Sequence, residues 1–161
     1  MSSSARESAP EAHMCIATVV TQKAIDHMLE SGGQGNYRDE HPWLVARELL
    51  NQSDKPLPIL FASSSESGIQ FSHWSVIVDI DVVELHRGQW DTRVKFGTLT
   101  PMNPIWSDID SVFIMPSDLQ LQREHTEHIR VVRNGLDEHH IHPYAICETP
   151  SFIVELLSTS S

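Results

Sequence analysis

From Trp74 to Val83 the chain alternates. Trp74, Val76, Val78, Ile80 and Val82 fall on one side of an extended segment, and Ser75, Ile77, Asp79, Asp81 and Val83 on the other. A period of two sustained over that length predicts a strand with an apolar face and a mostly wet face. Ile59 to Ala62 is a short apolar run and predicts a buried partner strand, with a serine-rich loop between the two. Thr92 to Leu99 repeats the pattern, with Val94 and Phe96 on one face and Arg93 and Lys95 on the other. Cys15 to Val20, Ser111 to Met115 and Tyr144 to Glu148 are further short runs of strand type.

Helical spacing occurs in two places near the start. Ile25, Met28 and Leu29 form an i, i+3, i+4 stripe behind Thr21, a residue suited to an N-cap, and Gly32 and Gly33 supply the stop. Pro42 suits a first helical position, and Trp43, Ala46, Leu49 and Leu50 share the face that follows. The intervening QGNYRDE reads as a polar loop. Ser117 and Gln120 have the spacing of a capping box, so a short helix is expected there. Residues 128–134 suit a strand or a helical continuation. The strand is favoured, with Asn134-Gly135 as a hairpin turn. FIVELL, near the end, reads as a last strand or a helical turn.

The order of elements predicts an α+β fold: a small curved mixed β-sheet or pseudo-barrel with two N-terminal helices packed beside it. One globular domain is expected over residues 14–158. Residues 1–13 are rich in Ser and Ala, lack a hydrophobic core segment and read as a disordered tail. No apolar run is long enough to span a bilayer or to act as a secretory signal, so the reading is cytoplasmic with no membrane partner. Cys15 and Cys147 then read as reduced, buried thiols.

The balance of 22 acidic to 11 basic residues, a formal charge of -11, changes the functional picture. Non-specific nucleic-acid binding depends on Lys and Arg neutralising phosphates. A nucleic-acid or nucleoside ligand must therefore be held by a specific pocket rather than a broad basic surface, with Arg123, Arg130 and Arg133 as a local basic group.

Several clusters carry chemistry. Phe61, Ser63, Ser64, Ser65, His73 and Trp74 combine a stacking ring with hydroxyls suited to the edge of a flat ligand, against the plainer reading of Trp74 as core. Asp137, Glu138, His139, His140 and His142 have donor types suited to zinc, with Glu124, His125, Glu127 and His128 as partners, but one short segment seldom supplies a full tetrahedral set. His139, His140 and His142 are thus weak metal candidates, and no cofactor is predicted. Cys147 beside Glu148 reads as core more readily than as a nucleophile. Asp79, Asp81 and Glu84 read as a solvated acidic face.

The tract PLPILFASS…GIQFSHWSVIVDIDVV, together with the order of elements, resembles the PUA-like superfamily, in particular its EVE and ASCH branches. The resemblance covers roughly 30 residues, with Tyr144 to Pro150 as a closing strand. It implies a pseudo-barrel with flanking helices and a pocket that recognises RNA or a modified base. Ser63, Ser64 and Trp74 would map to the pocket wall, with Trp43 as a second aromatic. The leading expectation is a binding module for a flat polar ligand such as a modified nucleobase. The alternatives are a metal-assisted hydrolase on the same scaffold and an acidic protein-interaction module. Catalytic residues and oligomeric state are not legible.

Overall fold

The computed structural model describes residues 13–30, 35–65, 68–102, 112–115, 117–129, 134–136 and 141–159. Strands β1 (Met14–Val19) and β2 (Gly35–Asp39) bracket helix α1 (Gln22–Glu30), and helix α2 (Leu44–Gln52) follows. Then come β3 (Pro58–Ser65), β4 (Gly68–His86), β5 (Gln89–Phe96), β6 (Thr100–Pro101) and β7 (Phe113–Ile114). Helix α3 (Asp118–Glu127), β8 (Asn134–Gly135), β9 (Ala145–Glu148) and helix α4 (Ser151–Thr159) complete the order.

The strands form one mixed sheet in the order β2-β5-β4-β3-β1-β9-β7-β8, with β6 on β4. Among the described strands only β1 and β3 pair in parallel, Ile16 facing Ile59 and Val19 facing Ala62. The sheet is open among the described residues, since its end strands β2 and β8 do not pair. β4 is the spine. Its first half pairs with β3 and its second half with β5.

Side-chain alternation along the central strands divides the core in two. Ile16, Ile59 and Phe61 belong to one cluster with Ile25, Met28, Trp43 and Ala46, so α1 and α2 cover that face. Cys15, Ala17, Leu60 and Ala62 point the other way and pack with Trp74, Val112, Leu136, Ile141 and Ile153, the last from α4. A strand buried on both faces reads as a continuous apolar run, which is why CIATVV and ILFA lack alternation.

Three expectations need correction. The pair of N-terminal helices beside the sheet does not hold: four helices are present among the described residues, and a strand separates the first two. That strand, β2, lies in the segment read as a polar loop. It is an edge strand with a single neighbour and exposes Asn36 and Arg38 to solvent, so it carries no run of apolar residues. Asn134-Gly135 is not a hairpin turn but a short strand against Phe113 and Ile114.

The alternation of β4 is also interrupted. Between Ile77 and Asp79 the register against β5 shifts by a bulge, and Val78 is 68% exposed. The extra residue exchanges the two faces. Trp74 and Val76 therefore point to the α4 side, while Ile77, Ile80 and Val82 pack on the α1–α2 side.

The capping signals hold. Thr21 Oγ1 accepts the Ala24 N–H at 3.0 Å, and Ser117 and Gln120 exchange both capping-box bonds. α3 ends at His128, whose left-handed backbone (φ 58°) closes the helix. FIVELL is helical, within α4. No described helix is long and apolar enough to cross a membrane. Residues 1–12, Gly32 and Gly33, Arg130 and Arg133, and the segment 137–140 lie outside the described residues, as does most of 128–134.

Candidate functional site

Parallel neighbours bring their carboxyl ends to the same side of a sheet, where the chains diverge and leave a crevice. Here β1 leads into Thr21 and α1, and β3 ends in its serine run. The resulting cleft, of ≈ 520 Å³, is lined by Val19, Val20, Thr21, Gln22, Ala24, Tyr37, Ser64 and His142. That size suits a small organic ligand. The strand ends are pinned beneath it: Val20 N–H donates to the Ala62 carbonyl at 2.8 Å, and Thr18 Oγ1 donates to the Pro143 carbonyl at 2.8 Å.

Tyr37 forms the aromatic wall. It arrives on edge strand β2 and is held from behind by Phe61, edge-on at 6.3 Å, and by Trp43 at 5.9 Å. Burial, reinforced by the Asp39 carboxylate, pushes its phenol above the ordinary value, which holds the hydroxyl in its neutral form. Gln22, Ser64 and His142 place amide, hydroxyl and imidazole groups around the same space. Gln22 is steadied by Ser63, whose hydroxyl donates to Gln22 Oε1 at 3.4 Å, and by Asp26, which accepts from Gln22 Nε2 at 3.1 Å.

The four residues expected at a ligand wall are dispersed. Ser64 lines the cleft, and Ser63 is 8% exposed immediately beneath it. Trp74 is 7% exposed in the core on the α4 side, opposite Leu60. Trp43 is fully buried on the other face, its Nε1 donating to Asp39 Oδ2 at 2.7 Å and its ring 4.5 Å from that of Tyr144. The two tryptophans thus sit on opposite sides of the sheet. Phe61 is buried core, and His73 bonds Ser72 Oγ at 2.9 Å without reaching the cleft lining.

Of the histidine group, His142 is at the cleft, whereas His139 and His140 lie outside the described residues. Among the described residues no three His, Cys, Asp or Glu side chains converge as a metal site. Asp79 and Asp81 are exposed as expected, but each stands opposite a base on β5, Lys95 and Arg93 respectively. That face is a mixed charge ladder rather than an acidic patch.

QGNYRDE reads as a polar loop in the sequence, and Tyr37 lies within it. A lone tyrosine in a polar segment gives no signal until the strand that turns it inward is recognised. Two other hollows are less suited to a flat ligand. One of ≈ 180 Å³ at the opposite end of β1 is small, and one of ≈ 810 Å³ near the β4–β5 turn has the carboxylates Asp39, Glu40 and Asp91 in its wall. The chain matches no family model, no curated protein and no solved structure.

Proposed function

We propose that this protein is a binding module for a small flat polar ligand of the nucleobase or nucleoside type, held in the cleft at the carboxyl ends of β1 and β3. The observation that carries the reading is the juxtaposition there of one braced aromatic ring, Tyr37, with the side-chain amide, hydroxyl and imidazole of Gln22, Ser64 and His142. A stacked ring contributes ~1–3 kcal/mol to base binding, and edge groups add selectivity between bases. The tract resembling the PUA-like superfamily forms the β3–β4 pair, and its serine-bearing end borders this cleft, which supports a modified base as the ligand. Recognition rests on Tyr37 and Ser64 rather than on Trp74.

The test is a tryptophan-fluorescence titration with plain and modified nucleosides. Trp43 lies directly behind Tyr37 and reports on the cleft without touching the ligand. Saturable binding of one nucleoside, weakened at least tenfold in Tyr37→Leu and unchanged in Trp74→Phe, is the expected result. A silent panel, or full affinity in Tyr37→Leu, would sink the reading.

A further inference from the structure

The cleft has a neighbour. A hollow of ≈ 450 Å³ lies between α1 and the β2 residues Gly35 to Arg38, and it shares Ala24 and Tyr37 with the cleft. Strand alternation decides which atoms of β2 border it. Gly35 and Tyr37 are turned to α1: a Cβ at Gly35 would stand 3.7 Å from Met28 Cγ and 3.3 Å from the Phe96 ring. Asn36 and Arg38 send their side chains to the opposite face, where Arg38 pairs with Asp91. Both residues therefore line the hollow with main-chain atoms.

The ladder leaves those atoms unused. On β4, the Ile77 N–H donates to the Leu57 carbonyl at 2.9 Å, and the Val76 carbonyl accepts from the Gly97 N–H at 3.0 Å. Ile77 thus turns its main-chain groups away from Phe96, its neighbour on β5, and Phe96 turns its own toward β2. Gly35 stands opposite Phe96. Alternation then commits Gly35, Tyr37 and Asp39 to β5 and points the N–H and C=O of Asn36 and Arg38 outward. β2 is an end strand, and among the described residues no other main-chain bond reaches either residue. Each outward residue offers one donor beside one acceptor. Two vicinal hydroxyls match such a pair, one accepting and the other donating. The side chains facing the hollow are Ala24, His27, Met28 and Tyr37, with no carboxylate or guanidinium among them, which suits an uncharged polar group.

Resting on the nucleoside-type reading above, we infer that the ligand is a nucleoside rather than a free base: its ring lies in the cleft beside Tyr37, and its sugar hydroxyls pair with the outward N–H and C=O of Asn36 in the adjoining hollow. Asn36 lies between Gly35, at the Met28 end of the hollow, and Tyr37, which the hollow shares with the cleft. The experiment is isothermal titration of the full chain with a set of bases, their nucleosides and the 2′,3′-dideoxy analogues, using wild type, Asn36→Ala and Asn36→Pro. In the wild type the nucleoside should bind about tenfold tighter than either comparator, the gain expected for about two hydrogen bonds. Asn36→Ala keeps the main chain and should keep that ratio. Asn36→Pro removes an N–H that the ladder does not use, a change edge strands accept, and should erase most of the gain while the base binds as before. Equal affinity of the wild type for nucleoside and dideoxy analogue would overturn the inference while the base site stands, and this comparison decides even if Asn36→Pro fails to fold. A gain that survives Asn36→Pro, or one already lost in Asn36→Ala, would overturn it too. Failure of every compound to bind would overturn the two readings together.

Discussion

Cys15 on β1 stands directly opposite Cys147 on β9, both fully buried and both free. The Thr149 N–H to His13 carbonyl bond, 2.9 Å, places the register so that Cys15 and Cys147 form a hydrogen-bonded pair of the ladder. In such pairs the side chains stand farther apart than at the alternate positions. The Cys15 thiol also donates to the Glu148 carbonyl at 3.7 Å. Burial pushes both thiols up, Cys147 to about 12 and Cys15 well above its ordinary value. Thiolate, the reactive form, is thus suppressed. Neither cysteine should react with a thiol-specific disulfide reagent in the native protein, and both should react in denaturant. Rapid native labelling would show that this part of the sheet opens. The same shifts make alkaline pH destabilising. Above about pH 9 the unfolded thiols ionise while the folded ones stay protonated, so stability falls as pH rises toward the folded value. Cys147→Ala should flatten part of that fall in denaturant titrations.

The bulge in β4 makes a sharp claim about Val78. Val78 faces solvent, whereas Ile80, two residues on, is 3% exposed. Val78→Lys should change stability by no more than ~0.5 kcal/mol, as at other surface positions. Ile80→Lys should cost at least ~3 kcal/mol, because it buries an unpaired charge. Unbroken alternation would bury both residues on one face and make both variants severe. Urea unfolding of the pair distinguishes the two arrangements.

That contrast also marks how far the sequence could be read. The apolar runs of β1, β3 and β4 and the stripes of α1 and α2 were legible because burial selects side chains strongly there. The capping residues Thr21 and Ser117 were legible because their chemistry is local. β2 was not, since an edge strand is specified by its pairing with β5 rather than by its own polarity. The bulge at Val78 was not, since an inserted residue leaves composition unchanged. At the candidate site, Ser64 stands in a serine run that reads as a loop but is the end of β3, paired with Ile69, and Tyr37 was hidden with its strand. Trp74 drew attention as an aromatic, but the structure gives it to the core.

Thr92 joins β5 to the entry of α2. Fully buried, it donates from Oγ1 to the His41 carbonyl at 2.6 Å and accepts from the Trp43 N–H at 3.3 Å. The residue ahead of α2 has no side-chain cap of its own, so this hydroxyl supplies one of the missing partners. Thr92→Val keeps the shape and removes both bonds, leaving a carbonyl and an N–H without a partner. A loss of ~1–3 kcal/mol is expected, with Thr92→Ser recovering part of it. Because the Trp43 ring lies beside that of Tyr37, Thr92→Val should also weaken the nucleoside binding proposed for the cleft. Thermal denaturation with no difference between Val and Thr would show that water replaces the hydroxyl without cost.

His73 gives the acid side of the stability profile. Burial pushes its imidazole below the ordinary 6.5, and the Asp26 carboxylate opposes this more weakly. The folded protein therefore favours the neutral ring. Above the unfolded value this stabilisation is fully present. As pH falls through it, the unfolded chain takes up the proton first, and stability declines until the folded pKa is passed. Urea unfolding between about pH 7.5 and about pH 5 should show the wild type losing more stability than His73→Gln, which has no such proton to bind. The difference between the two profiles isolates His73. Parallel profiles would mean that the ring is solvated well enough to protonate in place.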